Sequence, residues 1–290
     1  FKKNSVDGVG EDWPIPYADL KPYYDQIDKL IGVFGTKENL YNDPDGFFLP
    51  PPKPRLHELY YVNAARKANI KVIPSRLSVV TKRINNDRGV CFYCNGCARS
   101  CNVYADFSSG SCLIFPAQNA GGQIDLFVNS MVRTVETNAE GKATGVSYIN
   151  KDDGIEYKLR GKVVVLASSA CSSARILLNS KSKQHPNGLG NSSDLVGKYL
   201  HDSTGGDMMA FLPQLTNRKT YNEDGVGGMH VYSPWWLDNK SLDFPRGYHI
   251  EVWGGMGAPS YGTGFNVNHF NKFFGLKAGG YGDILSLIHI

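Results

Sequence analysis

The sequence predicts a mixed fold, α/β plus α+β, and three observations carry that reading. Residues 163–167 form a continuous apolar run, Val-Val-Val-Leu-Ala, of the kind found in a parallel strand covered on both faces. Upstream, segments rich in β-branched residues between 124 and 159 fold back across Asp152-Asp153-Gly154, a hairpin signal. Downstream of Met208, short aromatic segments around Tyr232, Trp235, Trp236, Tyr248 and Trp253 alternate with Gly and Pro, the pattern of an antiparallel sheet with one covered face.

The elements follow in chain order. Tyr17, Leu20, Tyr24, Ile27, Leu30 and Ile31 are spaced as one stripe of an amphipathic helix. Asp45-Gly46 and the Pro50-Pro51-Pro52 run mark an extended loop. A second helix is predicted over 57–67 with Leu59, Val62 and Ala65 inward, passing at Asn69 to a short strand over 71–73. Three strands are predicted next, over 124–135, 143–149 and 156–159. The apolar strand 163–167 then ends at Ser168-Ser169-Ala170, and a serine-capped helix begins with Ser172-Ser173. A strand that delivers small residues into a helix N-terminus lets backbone approach a phosphate or cofactor; an ordinary βα turn explains it equally. Gly225-Val226-Gly227-Gly228 lacks dinucleotide-binding spacing and a following helix, and reads as a loop. Aromatics beside Asp238, Asp243, His249 and Glu251 have the makings of a sugar site. An aromatic core with solvated charges accounts for them at least as well.

A chain of 290 residues, 41% hydrophobic and 20% charged, has the composition of a folded globular protein with length for roughly two domains. Its 32 Gly and 15 Pro predict many turns. The net charge of +4 is scattered, so no nucleic-acid footprint is indicated. No apolar run reaches the roughly eighteen residues of a membrane span. The chain opens on Phe1 without a leader pattern, and residues 285–290 match a peptide that one frame of a common sequencing adapter encodes. It is therefore expected to be an internal stretch of a longer protein, with those six residues set aside as a tail.

Chemistry is concentrated at Cys91, Cys94, Cys97 and Cys101, four cysteines within eleven residues. Their C-x2-C-x2-C-x3-C spacing lets several thiolates converge on one iron-sulfur cluster. Asn102 stands where two-cluster ferredoxins carry Pro, so one cluster is expected. Tetrahedral zinc and a pair of disulfides are the competing readings. Cys112 and Cys171 stand apart and read as buried structural thiols.

Taken together, these segments resemble the glucose-methanol-choline (GMC) flavoprotein oxidoreductases, in particular the large subunits of the gluconate, fructose and FAD-glucose dehydrogenase group. The resemblance covers nearly the whole chain. Asp12-Trp13-Pro14-Ile15-Pro16-Tyr17, the cysteine run, Phe115-Pro116-Ala117 and Gly145-Val146-Ser147-Tyr148 carry it. So do Val164-Val165-Leu166-Ala167-Ser168-Ser169-Ala170, His185-Pro186-Asn187-Gly188-Leu189 and Val196-Gly197-Lys198-Tyr199-Leu200. It implies part of a Rossmann-like FAD-binding domain with a β-meander, joined to an antiparallel-sheet substrate domain. The implied division is 1–85 bordering the substrate domain, 86–123 cysteine-rich loop, 124–202 FAD-domain part, 203–284 substrate-domain part and 285–290 tail.

The resemblance implies an FAD-dependent dehydrogenase oxidising a CH-OH group of a sugar, sugar acid or polyol. Val132 would lie by the adenine end of FAD, and Ala167 and Ser168 near its phosphates. Cys91, Cys97 and Cys101 match relatives that hold a 3Fe-4S cluster, with Cys94 either spare or completing a 4Fe-4S cluster. A small subunit, a cytochrome or quinone acceptor and a periplasmic location follow by the same resemblance. The family's glycine-rich FAD loop and active-site His match nothing in this chain; Ser203 occupies the position where many relatives carry a His. No catalytic residue is assigned.

Overall fold

The structure, a computed structural model, describes residues 1–8, 10–97, 100–200, 202, 205–206, 225–236 and 247–252. His201, Ser203, Asp238, Asp243 and Trp253 lie outside the described residues. Two compact units make up the chain: Phe1–Gln123 with Met209–Ile290, and Ile124–Met208. Each combines helix with small sheet, the second, among the described residues, with one helix and one sheet, and no described helix is long and apolar enough to cross a membrane.

In the first unit α1 (Lys3–Asp7) precedes α2 (Tyr17–Ile31), which forms over the predicted stripe. Its Ile27 and Leu30 nonetheless remain exposed. A two-residue parallel pair follows, β1 (Val33–Phe34) with β2 (Phe48–Leu49). α3 (Leu56–Lys67) differs from the predicted orientation, because His57, Glu58 and Ala65 are its buried residues while Leu59 stays exposed. The cause lies at its first turn. Glu58 turns inward, accepts the Arg55 amide at 2.6 Å and takes a second hydrogen bond from the buried guanidinium at 2.9 Å.

β3 (Ile73–Pro74) pairs antiparallel with β7 (Val231–Trp236), which pairs with β8 (Tyr248–Glu251). A π-helical turn, Gly110–Ile114, runs into α4 (Phe115–Asn119). The core gathers Phe34, Val79, Val80, Ala105 and Val226, with Leu77, Ile84, Cys91, Tyr93 and Cys101 packed against it. A cysteine loop built into a core is held by the same apolar burial that folds the unit.

The second unit is organised on a three-stranded antiparallel meander, β4 (Ser130–Thr137), β5 (Ala143–Asn150) and β6 (Glu156–Arg160). β4 begins six residues later than the predicted start at 124, because Asn129 adopts a left-handed φ of 54° and β5 ends opposite Ser130. Val135 donates its amide to Ser180 Oγ at 2.8 Å, and Ser180 donates to Ile176 O at 2.6 Å, fastening β4 to the end of α5 (Ser169–Asn179).

Two expectations fail in this unit. Residues 163–167 form no strand; Val163 is 80% and Val165 81% exposed. A parallel strand draws every ladder bond from its neighbours, and among the described residues none pairs with it. Cys171, expected to be buried, is exposed on the first turn of α5, whereas Cys112 is buried as expected.

Candidate functional site

The cysteine run forms an irregular loop whose backbone conformations are unusual. Tyr93, Asn95, Ser100 and Tyr104 all have left-handed φ, between 55° and 81°. A bulky residue such as Tyr rarely adopts this conformation without a structural reason. Tyr93 N–H donates to Cys91 Sγ at 3.3 Å, whereas the amides of Asn95, Ser100 and Tyr104 bond the carbonyls of Gly225, Cys97 and Cys101.

Two staples hold the loop. At its base the Gly89 amide bonds Val103 O at 2.7 Å and the Cys91 amide bonds Val80 O at 2.8 Å. Arg88, 1% exposed, donates to Tyr104 O at 2.8 Å, to Ala105 O at 2.7 Å and to Ile31 O. Its charge faces Cys112, Asp106 and Cys101. At the tip the loop meets the glycine turn 225–228. Gly225 exchanges backbone hydrogen bonds of 2.9 Å with Tyr93 and Asn95, bridging to Cys94, and Gly227 N–H donates to Cys97 Sγ at 3.2 Å.

All six cysteines are free thiols. Cys91, Cys97 and Cys101 are half-buried, and Cys94 is exposed. Burial pushes the Cys91 and Cys97 thiols up; the amides of Tyr93 and Gly227 pull them back, and the neighbouring cysteines push them up again. A cation near these sulfurs would favour their thiolate forms. Among the described residues no three His, Cys, Asp or Glu side chains converge closely enough for a single metal ion. A polynuclear core, with inorganic sulfide between the irons, accepts thiolates spaced farther apart. A cavity of about 430 Å³ opens beside Cys97, walled by Val79, Phe107 and Val226. Its charged group is Asp106, whose carboxyl is held above the ordinary range by burial.

The sequence predicts a loop at 225–228 but not its contact with the cysteines, nor its supports Arg55, Glu58 and His230. The density of glycine at 225–228 was the available signal, but the turn comes 128 residues after Cys97 by number and no spacing rule joins the two. Of the residues expected at the cofactor, Val132 is half-buried in β4 opposite Tyr148. Ala167 and Ser168 are exposed before α5, and Ser168, at the N-cap, makes no side-chain capping bond. An uncapped N-terminus on an exposed small-residue approach fits a phosphate. His249 and Glu251, considered for a sugar site, bond each other across 2.9 Å on β8.

Residues 57–204 match the model of the family described as GMC oxidoreductase. The chain is 29% identical over 293 residues to 2-methyl-1,2-propanediol dehydrogenase of Mycolicibacterium austroafricanum, covering 95% of this chain and 51% of that protein. It is 28% identical to the fructose dehydrogenase large subunit of Gluconobacter japonicus, over 71% of this chain and 38% of that one. It is 26% identical to 6'''-hydroxyparomomycin C oxidase of Streptomyces lividus, over 67% of this chain and 36% of the relative. The chain thus spans about half the length, or less, of these curated relatives.

Proposed function

The chain belongs to the GMC oxidoreductase family, and from that premise we propose that it is part of an FAD-dependent dehydrogenase that oxidises a CH-OH group of a sugar, sugar acid or polyol and relays the electrons through an iron-sulfur cluster. The names of two relatives, a diol dehydrogenase and a fructose dehydrogenase subunit, support the substrate class. The observation that carries the relay is the cysteine loop: four cysteines lie within eleven residues, and two of their sulfurs accept backbone N–H groups.

Cys91, Cys97 and Cys101 would hold the cluster, and the exposure of Cys94 supports a 3Fe-4S centre with that thiol spare. Val132, Ala167 and Ser168 would hold FAD, the first by packing and the other two at the N-terminus of α5. When bound, the flavin supplies a hydride acceptor and the cluster a one-electron acceptor. The loop's part is to fix three sulfurs, exclude water from them on the core side and stabilise their negative charge. A cytochrome or quinone would take the electrons onward. The large-subunit name of one relative supports a smaller partner subunit, and such an assembly would work in the periplasm.

Iron and acid-labile sulfide, measured with an electron paramagnetic resonance spectrum on anaerobically purified protein, test this. About three irons per chain, lost in Cys97→Ser, are expected. Stoichiometric zinc, or oxidised cysteines without iron, would remove the relay.

A further inference from the structure

The polar groups of the glycine turn can be followed one by one, because buried backbone groups need partners. Gly225 uses both its groups on the cysteine loop, with Tyr93 and Asn95. Val226 N–H donates to His230 Nε2 at 3.0 Å, a bond 1% exposed His230 accepts from within the fold. His230 Nδ1 lies 2.8 Å from Lys53 O and 3.5 Å from Glu58 Oε2. Since Nε2 accepts, Nδ1 carries the proton and donates to the nearer carbonyl. Arg55 donates to Val226 O at 3.5 Å and to Gly228 O. Glu58, fully buried, holds Arg55 at 2.9 Å and accepts the His230 amide at 2.8 Å. With these groups pinned, Gly227 N–H is aimed at Cys97 Sγ.

The fit leaves no room for a side chain at Gly225 or Gly227. A Cβ at Gly227 would lie 2.7 Å from Cys97 Cβ, and one at Gly225 would lie 2.9 Å from His230 Nε2. Three buried polar side chains and two close glycine contacts for one ordinary surface turn would be costly. They are accounted for if the position of a single amide matters.

We propose that His230, supported by Glu58 and Arg55, is a positioning residue for the redox site: it locks the glycine turn so that Gly227 N–H stabilises the Cys97 sulfur and thereby raises the cluster's reduction potential. This rests on the cluster reading above. An N–H donor stabilises whichever state carries more negative charge on sulfur, and that is the reduced one. Losing the donor makes reduction harder. Outer supports of metal ligands also govern retention of the metal.

The test uses the anaerobically purified holoprotein, with His230→Phe to remove both ring nitrogens at similar volume and His230→Gln to restore a donor and an acceptor. In His230→Phe the cluster's midpoint potential should fall and iron loss to a chelator should quicken by about ten-fold; His230→Gln should recover much of both. An unchanged potential and retention in a folded His230→Phe protein would overturn the proposal. Amide hydrogen exchange on cluster-free protein tests the brace separately. Val226 and Gly227 should exchange slowly in the unsubstituted chain and faster in His230→Phe. Fast exchange in the unsubstituted chain overturns the positioning role whether or not iron is present, whereas iron-free protein with slow exchange refutes the cluster and leaves the brace standing.

Discussion

Cys94 and Cys97 are three residues apart but stand in different surroundings. Cys97 is half-buried and accepts an amide, whereas Cys94 is exposed. Cys94→Ser is therefore predicted to keep its iron and its resonance signal, while Cys97→Ser loses both; equal loss in the two variants would assign Cys94 as a ligand. Arg88 presents a second contrast, since it is buried yet its hydrogen bonds go to backbone carbonyls rather than to a carboxylate. Arg88→Met leaves those carbonyls bare, and the loss should be about 3 kcal/mol, read as a lower urea midpoint. A midpoint equal to that of the parent would show that the base of the loop does not depend on the guanidinium. The spacing of the cysteines was readable because all four lie within eleven consecutive residues. Arg88 was not, because nothing in its sequence neighbourhood marks a basic residue for burial.

At the level of elements, the turn of α3 and the glycine turn form one acid-sensitive unit. Burial holds His230 below its ordinary pKa of 6.5, against the pull of Glu58, while Arg55 and His57 push the same way as burial. The unfolded chain therefore takes up this proton first, so its contribution is complete above about pH 6.5 and is lost as pH falls below that. Burial also pushes Glu58 up, yet hydrogen bonds from Arg55 and the His230 amide together hold it below its ordinary 4.5, so a further loss follows at lower pH. The thermal midpoint of the protein should fall between pH 7.5 and 5.5, and the fall should be smaller in His230→Gln. A flat profile would show that this unit does not limit stability. Helices α2, α3 and α5 and the β4–β5–β6 meander were readable from periodicity, the serine cluster and the Asp-Gly turn, whereas α1 and α4 were not. The inward face of α3 was not: hydrophobic spacing favours Leu59, but an ion pair with Arg55 draws Glu58 inside.

On the scale of the whole molecule, the run 163–167 is where composition and structure part. Its sequence is that of a strand covered on both faces, yet Val163 and Val165 are exposed and unpaired among the described residues. Strand propensity is local, but a ladder is supplied from elsewhere. An exposed β-branched run is a template for pairing with other chains. The 290-residue chain expressed alone should therefore aggregate, and Val163→Lys with Val165→Lys should raise its soluble yield; no change in yield would place the liability elsewhere. The residues proposed for the cofactor, Val132, Ala167 and Ser168, came from resemblance rather than from pattern, since a small residue before a helix has many uses.

The relay itself is tested most directly by anaerobic rapid mixing of the holoprotein with a sugar or polyol that bleaches its flavin, followed by optical absorbance and by freeze-quenched resonance spectra. Flavin bleaching should be followed by partial recovery as the cluster signal changes at the same rate, and Cys97→Ser should bleach without that recovery. A cluster signal that stays constant through turnover, with Cys97→Ser delivering electrons to the acceptor at the parent's rate, would contradict electron transfer through the cysteine loop.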